Sequence, residues 1–108
     1  MTKARMDWRR LELNMRGHAN SAPKGQDLVC CAESMLTQAL VNTLAEMEKE
    51  GICSATWAGG QRNGALSIRA TPAEGQRDVI TAVFRVCITG LRMLARESPE
   101  YVDLKEDR

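Results

Sequence analysis

The sequence is short of most of the groups that active sites draw on. It holds one histidine, His18, in 108 residues. That excludes a site built on paired imidazoles. No Cys-x-x-Cys or Cys/His cluster has zinc-ligand spacing, so neither a metal centre nor a cofactor is expected. An excess of one charge is also missing. Fifteen Lys and Arg against fourteen Asp and Glu leave a formal net charge of +1. That is too little for a whole-chain field holding nucleic acid or an anionic membrane, so direct nucleic-acid binding is not expected. The N-terminus lacks the apolar stretch of a secretory signal. No apolar run approaches the roughly 18 residues of a membrane span. On these grounds the chain is expected to be cytoplasmic, with Cys30, Cys31, Cys53 and Cys87 reduced. Cys30 and Cys31 are neighbours on a predicted helix, about 100° apart, and so do not bridge.

What is present describes one domain over residues 1–108. The composition, 44% hydrophobic and 27% charged, is that of an ordinary globular protein. Thr2 to Met6 is a poor strand by propensity. Leu11, Leu13 and Met15 alternate with polar residues, which predicts a half-buried strand, with Asp7 to Arg10 as the hairpin turn before it. Asp27 to about Glu50 reads as one long helix that stops at Gly51. Leu36, Leu40, Leu44 and Met47 trace one of its sides; Leu28, Cys31, Met35, Ala39 and Asn42 trace another. Covering both requires a sheet and either a second helix or another subunit. Ile52–Ala58 and Ala65–Ala70 read as strands around a Gly-rich hairpin turn. A second helix is predicted from Gln76 to about Arg96, where Gly90 marks close approach to another element, since it costs about 1 kcal/mol relative to Ala. Tyr101-Val102-Asp103-Leu104 reads as a short last strand or an arm. The expectation is an α+β fold in the order β-β-α-β-β-α, with an antiparallel four-stranded sheet and two helices on one face.

The chemistry concentrates between Gly17 and Ser34. Ser21-Ala22-Pro23-Lys24-Gly25 punctuates the chain as a loop. Asp27 is placed to cap the following helix. Cys30 then falls in the first turn, where unpaired amides and the helix dipole favour negative charge. A thiol there is expected to have a lowered pKa and to be partly thiolate near neutrality. With His18 near enough to take its proton, Cys30 becomes a nucleophile. Ser34 lies one turn further along the same face. The plain alternatives are a strand-end histidine without chemistry, a small core cysteine, and a serine bonded back to the helix. Cys53 and Cys87 read as core thiols. Trp57 reads as packing or as a substrate platform.

Gly17-His18-Ala19, the Pro/Gly loop, Gly25-Gln26-Asp27-Leu28-Val29-Cys30 and Ser34 together resemble the ribosomal-processing cysteine protease (Prp) family. The resemblance runs to the Ser98-Pro99-Glu100-Tyr101-Val102 tail. It implies a small α+β homodimer that removes an N-terminal extension from a large-subunit ribosomal protein (number twenty-seven). It further implies a catalytic dyad of His18 and Cys30, with Asp27 and Ser34 supporting the site or the substrate. The substrate it implies is an extended segment with bulky apolar residues before the cut. Two positions depart from the family pattern: Cys31 stands where a small alanine is expected, and Glu33 where an apolar residue is expected.

The expected reaction is peptide hydrolysis through an acyl-enzyme, with amides at the helix start holding the oxyanion. Asp27 either orients His18, caps the helix, or does both. A non-catalytic dimeric binding module associated with ribosome assembly is the alternative. A thiol redox sensor ranks third, because Cys31 points away from Cys30.

Overall fold

The computed structural model describes residues 1–23, 27–60 and 63–108. Lys24, Gly25 and Gln26, part of the predicted loop, lie outside the described residues, as do Gln61 and Arg62 of the hairpin turn. The element order is β1 (Thr2–Asp7), β2 (Glu12–Arg16), α1 (Leu28–Lys49), β3 (Cys53–Gly60), β4 (Ala65–Pro72), α2 (Arg77–Glu97) and β5 (Val102–Asp107). The strands form one sheet in the order β3-β4-β2-β1-β5. Every pair is antiparallel except β1 with β5, which run parallel.

This corrects the expected four-stranded antiparallel sheet. The fifth strand is hard to read because Val102-Asp103-Leu104-Lys105-Glu106-Asp107 carries charge on both faces. Its inward face is Val102, Leu104 and Glu106, and the last of these is accommodated by partners rather than by apolar burial. Glu106 accepts bonds from Arg92 of α2 at 2.6 and 2.8 Å and from the Trp8 indole N–H at 2.9 Å. The pairing is parallel because α2 returns the chain to the far edge of the sheet before β5 begins.

Those bonds make a pH prediction. The hydrogen bonds from Arg92 lead the effects that hold the Glu106 carboxyl at about 2, against burial, which pushes it up. The folded pKa lies below the unfolded one. The stabilisation is therefore present above about 4.5 and is lost as pH falls toward about 2. Because the group is partly solvated, its worth is about 1–2 kcal/mol rather than the full shift. Thermal melts of Glu106→Gln should show that loss at neutral pH and converge on the wild type in strong acid.

Alternation sets the two faces of the sheet. Ala4, Met6, Leu13, Met15, Ile68, Ala70 and Cys53 point toward the helices and are buried. Leu40 and Leu44 of α1 and Ile80, Phe84, Cys87, Ile88 and Leu91 of α2 close on them. Burial pushes the Cys87 thiol up to about 12, which suits a core residue. Gly90 is where the helices meet: a Cβ there would lie 2.5 Å from a Leu36 methyl, the close approach its place in a helix predicts.

One expectation about α1 is corrected. Its 22 residues are long and apolar enough, by length and composition, to cross a membrane. The inward stripe instead packs on β3 and α2. The sequence hides this length because Glu33 and Thr37, both buried here, interrupt the apolar run.

Candidate active site

Cys30 is the third residue of α1, and Asp27 caps the helix as expected. The Cys30 N–H donates to Asp27 Oδ1 at 2.9 Å, and the Cys31 N–H donates to the Asp27 carbonyl at 3.0 Å. The cap does more than close the helix. Asp27 Oδ2 accepts the Ser21 N–H at 2.9 Å, and the Ser21 hydroxyl donates a short bond to Oδ1. Burial alone would push the Asp27 carboxyl up, but the bonds from Ser21 and the Cys30 and Ala22 amides hold it below the ordinary carboxylate range. Of the roles open to Asp27, the structure shows the cap, together with a clasp on the segment that follows His18.

The thiol differs from expectation. Burial pushes Cys30 up, the charges of Asp27 and Glu33 push it the same way, and so does neighbouring Cys31; a side-chain hydrogen bond with Ser34 pulls it back. The helix N-terminus favours a thiolate, yet the carboxylate that caps this helix sits beside the sulfur and opposes it. Ser34 thus bonds the Cys30 side chain one turn back on its own helix, and Thr37, further along, donates its hydroxyl to the Glu33 carbonyl at 3.0 Å.

His18 is exposed at the end of β2. It follows Gly17, which has φ +87° and whose Cβ, if present, would overlap the Met1 carbonyl oxygen. Only glycine fits there. The Gly17 N–H donates to the Gly64 carbonyl at 2.8 Å, which ties β2 to the end of the β3–β4 turn. The imidazole lies against Gly64: a Cβ on that residue would sit 3.0 Å from His18 Nε2. Three residues after His18 comes Ser21, the residue clasped by Asp27. Three residues of chain span at most about 11 Å, so the clasp holds the histidine segment close to the start of α1.

Sequence reasoning missed three contributors. Ser21 passed as loop punctuation, although a serine six residues before a cap aspartate is a possible second ligand for its carboxylate. Gly64 passed as turn composition, although Asn63-Gly64 is a dipeptide that favours positive φ, found here at +67°. Glu33 was noted only as a departure; it is fully buried and faces inward at the Cys30 end of α1. Trp57 is 44% exposed on β3. It pairs with Ile68 and so stands on the helix-bearing face, between Cys53, whose thiol reaches the Leu44 carbonyl, and the Gly59-Gly60 end. It is not core packing.

The comparisons agree with this architecture. A family model described as cysteine protease Prp matches residues 1–103. The fold is similar to a ribosomal processing protease Prp from S. aureus, described as essential and solved with a covalently linked product peptide: TM-score 0.80, 18% identity, covering 99% of this chain and 100% of that one. The same S. aureus protease solved with a substrate peptide aligns with TM-score 0.75 and 17% identity over 99% and 100%. SMU.848 from Streptococcus mutans aligns with TM-score 0.70 and 25% identity over 97% and 90%. No curated protein matches the chain. With 103 of its residues covered by the family model, the chain belongs to the cysteine protease Prp family.

Proposed function

We infer that this cysteine protease removes an N-terminal extension from a large-subunit ribosomal protein (number twenty-seven), with Cys30 as nucleophile and His18 as proton carrier. The observation that carries the reading is the clasp of Ser21 and the Cys30 amide on one carboxylate, that of Asp27, which fastens the His18 segment to the helix start that bears the thiol. Support for a peptide substrate comes from the S. aureus protease, solved with substrate and product peptides.

His18 takes the Cys30 proton, and the sulfur forms a bond to the scissile carbonyl carbon. The carbonyl π electrons move to oxygen. The Cys30 and Cys31 amides are occupied by Asp27, so the first-turn amides that remain for the oxyanion are those of Leu28 and Val29. Collapse breaks the C–N bond, and His18 returns the proton to the leaving amine. Water, deprotonated by His18, then cleaves the thioester and restores the thiol. Ser34 holds the sulfur in place, and Trp57 offers an apolar wall to the extended substrate.

The molecule works as a homodimer in the cytoplasm. The outer sides of the helices are the surface assigned to the dimer: Leu28, Met35 and Val86 are 81%, 65% and 73% exposed there. The test is a peptide spanning the extension and the mature N-terminus. Mass spectrometry should find one cut, and rapid acid quench should trap the N-terminal fragment as a thioester on Cys30. Sedimentation of the same preparation should give a dimer. Peptide binding without cleavage would favour the binding-module alternative instead.

A further inference from the structure

The face of the sheet opposite the helices is uncovered by any described element, and it is not neutral. It forms a depression of about 680 Å³ whose described lining includes four cations, Lys3, Arg5, Arg16 and Lys105, and one carboxylate, Asp103. With those set aside, the rest of the chain is net acidic. The chain's balance of +1 therefore hides a segregation that only the fold creates.

The register sharpens the point. β1 sets Lys3 directly opposite Arg16 of β2, and Arg5 directly opposite Lys105 of β5. Like charges facing each other across strands destabilise a sheet, and here two such pairs lie side by side. Asp103 stands opposite Lys3, and Asp107 binds Arg5 at 2.7 Å. Among the described residues, Arg16 and Lys105 have no carboxylate within ion-pair distance. Asn14 and Ser67 add neutral donors between the cations.

We propose that this face binds the phosphodiester backbone of RNA. A polyanion supplies the countercharge the register lacks. A second copy of this chain is a poor occupant, because a two-fold contact would set the same cations against each other. A peptide docks on a sheet through the main-chain groups of an edge strand, whereas this surface offers side chains on a face. Neither Trp8, which bonds inward to Glu106, nor Trp57, on the helix side, can stack bases there. Binding is therefore independent of sequence and carried by charge. Lys3 and Arg16 lie next to Gly17, so the RNA site ends where the His18 segment begins. A precursor held on RNA would present its extension around that end of the sheet.

The test is fluorescence anisotropy of a short labelled single-stranded RNA across a KCl series, with thermal melts and peptide cleavage measured on the same proteins. Wild type and Cys30→Ala should bind alike, with log K falling against log [KCl] at a slope of about −2 to −3, as three or four phosphate contacts require. Arg16→Glu and Lys105→Glu should each lower affinity about tenfold or more at low salt. Both should melt at or above the wild-type temperature, because each removes a like-charge pair, and peptide cleavage should be unchanged. Lys49→Glu, at the far end of α1, should bind as wild type. The proposal is overturned by an affinity that both reversals leave unchanged, by a flat salt dependence, or by polyglutamate competing as well as RNA.

Discussion

Cys30→Ala should lower kcat/KM for the extension peptide by at least about 10⁴-fold, and His18→Ala by a comparable factor. The double variant should be no worse than either single one, because a nucleophile and its base act as a unit. Melting temperatures should hold, since Cys30 is only half-buried and His18 is exposed. Alkylation by iodoacetamide gives a second, chemical readout. Burial and the Asp27 and Glu33 charges push the resting thiol up. Cys30 in the substrate-free protein should therefore react appreciably only on the alkaline side of an ordinary thiol. An uncleavable peptide analogue bound next to it should shift that profile to lower pH, and His18→Ala should abolish the shift. If both single variants still cleave the peptide, the assignment of the dyad fails.

The resting thiol is where local reasoning from the sequence went furthest astray, and the cause is physical. A helix N-terminus lowers a thiol pKa through its amides, and the position of Cys30 in the first turn was legible from Asp27. The sign of the net effect was not, because it depends on how deeply the sulfur is buried and on the inward direction of Glu33. Both are tertiary facts. Elements with a strong period were legible to within one or two residues: β2 from Leu11, Leu13 and Met15, and both helices from their stripes and caps. β5 was only half legible, because its inward Glu106 is satisfied by Arg92, fourteen residues back, and by Trp8 at the other end of the chain. The same limit explains the basic sheet face. Lys3, Arg5, Arg16 and Lys105 belong to three strands, and only the register brings them together.

Gly64→Ala is the second large effect expected, and it separates positioning from stability. At φ +67° an added Cβ strains the backbone by about 1–2 kcal/mol. The same Cβ would lie 3.0 Å from His18 Nε2, tighter than an ordinary contact, so the ring must give way by a few tenths of an ångström. A full 1 Å misplacement of a reacting group costs on the order of 10²-fold in rate, so a shift of a few tenths costs about three- to tenfold. Gly75 provides the control: it has φ +78°, and nothing lies within 4 Å of the Cβ position. Gly75→Ala should therefore lower the melting temperature by a similar amount while leaving kcat unchanged. Gly64→Ala should lower the melting temperature and also cut kcat about three- to tenfold with little change in KM. It should move the His18 ring resonances in an NMR spectrum, which Gly75→Ala should not. If Gly64→Ala matches Gly75→Ala in both stability and kcat, the β3–β4 turn is not the seat of the catalytic imidazole, and the histidine must be positioned by the Asp27–Ser21 clasp alone.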